Sequence, residues 1–241
     1  MQQSYQIIFG VHAIREVLSI KRRSVYKVYS TDPRPKSFAT LQTLIPRHVE
    51  IVTVSRTRLT DIAESPDHQG IVAAVGVFPF RNSCFNPDKF PHIVLLDGIQ
   101  DPRNVGAIIR SAYCTGFQGI VIPEKQTAPL SGTVVKSAAG LTERIDIYRP
   151  LTSTTAFNEL KKAGYNMYVA ALGGERADHV VYQAPTCLVI GNEAVGVHAA
   201  FIAQGTRITI PQVARDVSYN AAVAAGILLF MISSRSQNIK F

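Results

Sequence analysis

Apolar residues recur along this chain in two rhythms that alternate. "YQIIFG" (5–10) is a short strand-like run, "VHAIREVLSI" (11–20) spaces its apolar positions three and four apart as a helix does, and "SVYKVYS" (24–30) returns to a strand. Residues 36–45 read as a helix, "VEIVTVS" (49–55) as a strand, "RTRLTDIAE" (56–64) as a short helix and "GIVAAVGVF" (70–78) as an apolar strand. The pattern predicts a small α/β domain over 1–79. Apolar strands then recur at "HIVLLDGI" (92–99), "GIVIP" (119–123), "NMYVAAL" (166–172), "TCLVIG" (186–191) and "RITIP" (207–211). Segments able to form helices separate them, so a second α/β domain over 92–241 with a mostly parallel sheet is expected. "PFRNSCFNPDKFP" (79–91) has three Pro, two Asn and no clean period, which marks 80–91 as the linker.

The final stretch, "SYNAAVAAGILLFMISSRS" (218–236), predicts a helix apolar on nearly every side, so that either the core or a second subunit must cover much of it. Small residues at Ala221, Ala222, Ala224, Ala225 and Gly226 permit another backbone to come close.

Composition narrows the class. With 46% hydrophobic and 17% charged residues among 241, the chain is a folded globular protein and not a disordered one. Lys and Arg number 25 against 17 Asp and Glu, a formal charge of +8, which makes a polyanion the natural partner. The excess leans toward residues 1–90, which carry 12 basic and 7 acidic side chains. Cys84, Cys114 and Cys187 are odd in number and far apart, which supports neither a disulfide framework nor a zinc site and fits a reducing compartment. "MQQSYQIIFG" lacks the layout of a signal peptide and "AAVAAGILLFMI" is too short to span a bilayer, so a cytoplasmic protein without membrane contact is expected.

Three strand ends carry polar chemistry. In "DPRNVGAIIRSAYCTGF" (101–117), Asn104 is placed to cap a helix beginning near Val105, Gly106 leaves room for a neighbour, and Arg110 offers a fork of donors that suits a phosphate. In "LVIGNEAVGV" (188–197) an apolar strand runs into Gly191, Asn192, Glu193 and Gly196; in "ITIPQVARDVSYNAAVAAG" (208–226) Ser218 and Asn220 precede the apolar helix, a plain cap at Ser218 being the alternative to a functional role. Each loop alone also suits an ordinary strand-to-helix turn.

Taken together, Asn-x-Gly-Ala-x-x-Arg-Ser-Ala, Gly-x-Glu-x-x-Gly and Ile-Pro followed by Ser-x-Asn-x-x-Val-Ala resemble, in order, the three motifs of SpoU/TrmH-type RNA ribose methyltransferases. "IIFGVHAIREVL" and "HQGIVAAV" resemble the small RNA-binding domain of the members that act on ribosomal RNA. The resemblance implies a SPOUT fold with a deep trefoil knot, S-adenosylmethionine as methyl donor without a metal, a homodimer, and 2′-O-methylation of a ribose in RNA, foremost 23S ribosomal RNA. It implies Arg110 as the catalytic residue, as base or as charge stabiliser, with Asn104, Glu193, Ser218 and Asn220 positioning it and the substrate. Leu172, Gly173, Gly191, Asn192, Ile210 and Tyr219 are the implied cofactor contacts. His12, Arg15, Lys21, Arg22, Arg23 and Gln69, together with Arg110, are the candidate RNA contacts. The chain departs from the family pattern at Ala194, Ala214 and Tyr219, where glycine, glycine and leucine are usual. Rival readings are a transfer-RNA ribose methyltransferase, a non-catalytic RNA-binding or ribosome-assembly protein on the same fold, and an unknotted nucleotide-binding α/β enzyme. The last is disfavoured by the lack of a Gly-x-Gly-x-x-Gly turn in the first loop.

Overall fold

Residues 5–213 and 217–236 are described by the computed structural model. Ala214 and its neighbours through 216 lie outside the described residues, as do 1–4 and 237–241. Two compact units result: the chain up to Pro79 together with Leu130–Arg144, and Phe80–Pro129 together with the chain from Ile145 onward.

The first unit is built on a four-stranded sheet of β1 (Tyr5–Phe9), β2 (Val25–Ser30), β3 (Glu50–Thr53) and β4 (Ile71–Gly76), in the order β1-β4-β2-β3. β4 is antiparallel to both neighbours, and β2 and β3 run parallel. Every residue of β4 is buried, as the unbroken "IVAAVG" run requires of a central strand. α1 (Val11–Ile20) turns Val11, Ala13, Ile14, Val17 and Leu18 inward, the spacing seen in the sequence. α2 (Phe38–Gln42) is only five residues long, shorter than the predicted 36–45, and anchors through Phe38 and Leu41. α3 (Arg56–Ala63) begins at a Ser55 cap that accepts from Arg58 N–H.

The segment 130–144, expected with the second domain, packs in this first unit. Its helix α5 (Gly132–Ser137) lies directly on β1: a Cβ on Gly132 would stand 2.7 Å from the Ile7 carbonyl oxygen, so only glycine fits. Val135 joins the core of Ile8, Ile14, Val28 and Phe38. Glu143 receives the Arg23 guanidinium at 2.7 Å with both side chains buried, and Arg23 also donates to Gln6 Oε1 and the Gly76 carbonyl.

The second unit carries a fully parallel six-stranded sheet of β5 (His92–Asp97), β6 (Gly119–Val121), β7 (Asp146–Tyr148), β8 (Asn166–Arg176), β9 (Thr186–Gly191) and β10 (Thr206–Thr209). Their order is β10-β8-β9-β5-β6-β7. The mostly parallel α/β architecture expected from the hydropathy pattern is therefore present. β7 escaped prediction because three residues carry no period. Helices α4 (Pro102–Cys114), α6 (Ser153–Lys162), α7 (Ala199–Ile202) and α8 (Ala221–Arg235) complete the unit, and Phe157 of α6 stacks on Phe201 of α7 with centroids 4.3 Å apart. The segment 80–91 docks on the sheet edge: Arg81 N–H donates to the Ile147 carbonyl, its guanidinium pairs with Asp146 at 3.1 Å, and it lies over the rings of Phe85 and Phe90. From β5 the chain proceeds outward to β6 and β7, while β9 returns on the other side of β5. The crevice beyond the carboxyl ends of β5 and β9 is thus the place where open parallel sheets collect ligands.

Candidate functional site

Three polar side chains meet at that crevice. β5 ends at Asp97, and a short turn leads into α4, whose cap is Asp101, accepting from Arg103 N–H at 2.8 Å, with Pro102 in the first helical position. Asn104 is therefore not the cap expected from its place before Val105; it sits in the buried first turn, and its amide bridges neighbouring elements. Its Nδ2 donates to Glu193 Oε1, in the loop after β9. Its Oδ1 accepts from Asn220 Nδ2 at 3.2 Å. Asn220, and not Ser218, caps α8, its Oδ1 accepting from the N–H groups of Ala222 and Val223. One buried amide thus ties together the three segments that the motifs mark.

The loop after β9 is held from within. Asn192 Oδ1 accepts from Ala194 and Val195 N–H, its Nδ2 donates to the Gly98 carbonyl at 2.8 Å, and its backbone pairs with Gly196 in both directions. Gly191 allows the fold-back, because a Cβ there would stand 2.4 Å from Gly196 C and Val197 N. Ala194, which departs from the family pattern, is exposed and donates its N–H to Asn192, so the turn forms without glycine. Buried Asp97 accepts from His198 N–H at 2.8 Å and fixes where the loop ends.

Beside this cluster lies a cavity of about 420 Å³, within the size range of small-molecule sites. Ile190, Val197, Ile208 and Leu228 give it apolar walls, and Leu172, Gly191, Asn192, Glu193, Ile210, Ser218 and Tyr219 of the implied site residues line it. Gly173 does not line it but lies against the Arg207 guanidinium. Arg110 is exposed on α4 and makes no hydrogen bond or ion pair among the described residues, the trio included. Arg207 is the lining residue that sequence reasoning missed, for it sits mid-strand in "RITIP" with no motif to mark it.

Among the candidate RNA contacts of the first unit, His12 and Lys21 are exposed at opposite ends of α1. Arg15 reaches Thr40 Oγ1 at 3.5 Å, and Arg22 lies over the Phe78 ring at 5.0 Å. Gln69 uses its carbonyl oxygen on Val11 N–H at the start of α1, leaving its amide nitrogen outward. Arg23 is the correction: 7% exposed and bound to Glu143, it is withdrawn from any surface phosphate. Next to Gln69, His68 is fully buried, accepting from Gly70 N–H at Nδ1 and meeting Thr60 Oγ1 at Nε2; burial pushes its pKa below the ordinary value. Among the described residues no cluster of three His, Cys, Asp or Glu side chains is gathered for a metal, and no helix is long and apolar enough to cross a membrane.

A parallel sheet with a cavity walled by β8, β10 and the carboxyl end of β9, and a polar cluster beside it, defines a ligand-binding α/β protein of the open-sheet class. Comparison with known proteins makes this specific: the SpoU rRNA Methylase family matches residues 91–230, and the RNA 2'-O ribose methyltransferase substrate binding family matches residues 7–79. The chain belongs to the SpoU rRNA methylase family. It is 32% identical to the 23S rRNA (guanosine-2'-O-)-methyltransferase RlmB of Photorhabdus laumondii, across 93% of this chain and 96% of that one. It is also 32% identical to an uncharacterized tRNA/rRNA methyltransferase of Synechocystis, across 96% of this chain but only 63% of that longer protein. The SpoU methyltransferase AviRb of Streptomyces viridochromogenes, solved in complex with AdoMet, shares the fold at a TM-score of 0.81 and 22% identity, over 97% of this chain and 91% of that one.

Proposed function

We propose that the protein transfers a methyl group from S-adenosylmethionine to a ribose 2′-hydroxyl of ribosomal RNA, in the 23S molecule. The observation that carries this reading is the Asn220–Asn104–Glu193 chain of side-chain hydrogen bonds at the rim of the cavity. The relationship to 23S rRNA methyltransferases supports the substrate.

The cavity fits the donor. Its apolar walls suit a purine, and Gly191, whose Cβ position is filled by backbone, leaves main-chain groups within reach of the ligand. Leu172, Gly191, Asn192, Ile210 and Tyr219 hold it there, with Gly173 behind the wall. When bound, the donor supplies an electrophilic methyl on a sulfonium. This chain's residues then position the acceptor and take up charge. Asn104 holds the Glu193 carboxylate and the capped start of α8 in one arrangement, so that Ser218 and Asn220 face the substrate from a fixed direction. Arg110, whose guanidinium has no partner among the described residues, grips the target phosphate and stabilises the oxygen as its proton passes to that phosphate; an arginine with a pKa above about 12 serves better as a charge than as a base. His12, Arg15, Lys21, Arg22 and Gln69 supply RNA contacts from the first unit.

Arg110 makes no hydrogen bond to the trio in its own chain, which leaves the site open to completion by a second copy. Val223 and Phe230 of α8, 50% and 54% exposed, support a homodimer that covers this helix. The reading carries with it the trefoil knot that the resemblance implies, and a cytoplasmic location beside the ribosome. Incubation with labelled S-adenosylmethionine and separated RNAs, followed by ribose-methylation mapping, tests it. Label in 23S RNA is expected; label in transfer RNA alone overturns the substrate, and none in any RNA overturns the activity.

A further inference from the structure

The Arg207 side chain lines the cavity from its edge-strand side, and nothing in the motifs accounts for it. The β8/β10 ladder pairs Arg207 with Val169 and then jumps to Ile208 with Glu175, so residues 170–174 leave the ladder as a bulge between the two registers. Ala170, Ala171 and Leu172 of that bulge form cavity wall. Arg207 Nη2 donates to the Leu172 carbonyl, which holds the guanidinium against the bulge. A guanidinium has five N–H donors, and among the described residues Arg207 has no carboxylate partner.

Charge narrows what the donors left without a partner among the described residues face. Among the described lining residues Arg207 is the only cation and Glu193 the only anion. Glu193 is bound to Asn104 over β9 and β5, whereas Arg207 stands on β10, the far edge of the sheet. S-adenosylmethionine carries two positive groups, its sulfonium and its ammonium, and a single negative one, the carboxylate. With the sulfonium directed to the Glu193 side where the chemistry takes place, the β10 side of the cavity offers, among the described lining residues, one cation for one anion.

We infer that Arg207 binds the α-carboxylate of the methyl donor through a charge-assisted pair, and so positions the donor's amino-acid arm. The inference rests on the methyltransferase reading and deepens it. Arg207 is a positioning residue: it touches the ligand away from the atoms that react.

Calorimetric titration with S-adenosylhomocysteine and with its decarboxylated analogue tests this, because the two ligands differ only in the group that Arg207 recognises. Wild-type protein is expected to prefer S-adenosylhomocysteine. Arg207→Gln is expected to weaken that ligand by about 10- to 100-fold, the size of one charge-assisted hydrogen bond, and to leave the analogue unchanged. Arg207→Lys is expected to recover part of the loss. If Arg207→Gln weakens both ligands equally, the side chain acts only by pinning the bulge, and if it weakens neither it is a surface residue; either result overturns the inference and spares the methyltransferase reading. Wild-type protein that binds neither ligand overturns both. A thermal melt of each variant, expected to match wild type, separates lost recognition from lost folding.

Discussion

Replacing Asn104 by Asp keeps the side-chain shape and reverses one interaction. The Nδ2 group now donating to Glu193 becomes an acceptor, so two carboxylates face each other at hydrogen-bond distance. Two unit charges about 4 Å apart repel by about 4 kcal/mol at an effective dielectric constant of about 20. Glu193 is exposed, so water removes roughly half of this, and the lost hydrogen bond to a charged partner adds about 1.5 kcal/mol. A net loss of about 3.5 kcal/mol follows, which lowers the melting temperature of a domain of this size by about 7–14 °C. The pH dependence gives the sharper check. Repulsion raises the folded-state pKa of the introduced carboxylate above its unfolded value of about 3.9, so the native variant binds more protons than its unfolded chain between the two values. The electrostatic penalty is therefore full at pH 7.5, shrinks as pH falls through the raised pKa, and is gone below about pH 4. Thermal unfolding of Asn104→Asp and wild type, followed by circular dichroism from pH 7.5 to 4.5, measures it. A variant that melts with wild type at pH 7.5, or a gap that stays constant with pH, refutes the bridging role.

Other substitutions probe separate features. Gly191→Ala places a methyl 2.4 Å from the Gly196 and Val197 backbone, so it is expected to abolish S-adenosylhomocysteine binding and lower the melting temperature, both measurable by differential scanning fluorimetry with and without ligand. Arg110→Ala is expected to remove methyl transfer to RNA while melting within about 2 °C of wild type, because the exposed side chain has no partner to lose among the described residues. Arg23→Ala strands the buried Glu143 carboxylate and is expected to cost about 3–5 kcal/mol in denaturant titration, far more than removal of exposed Lys21. His68 is held neutral by burial, so its contribution to stability is intact above its unfolded pKa of about 6.5 and is lost as pH falls from there through the lower folded value. His68→Gln is expected to flatten the melting profile between pH 7.5 and 5.

The strands and main helices were legible because their burial is one-sided or complete, and hydropathy records that directly: "HIVLLD" reads as a covered strand and is one. Capping was read less well. Residue type drew attention to Asn104 as a cap, with Ser218 as an alternative reading, whereas the caps are Asp101 and Asn220; "DP" at 101–102 carries the signal for the first. The partnership of Asn104 with Glu193 and Asn220 joins residues 89 and 116 positions apart, and only the motif resemblance brought them to one site. Arg23 and Arg207 show the limit from opposite sides. In "KRR" Arg23 is indistinguishable in pattern from its two neighbours, yet it meets a carboxylate 120 residues away; in "RITIP" nothing local reports a cavity. The destination of 130–144 was likewise illegible, since it depends on which surface Gly132 and Val135 fit and not on their own periodicity.

That destination bears on how such proteins can be recombined. The first unit takes its Glu143 counter-charge and its Val135 core contact from chain that lies beyond β6, so an excised fragment ending at Pro79 would carry a stranded guanidinium and an uncovered β1. Transplanting RNA specificity from one relative to another by swapping the leading segment alone would therefore graft an incomplete module; the exchange has to move Leu130–Arg144 as well, two cuts in the gene for one piece of architecture.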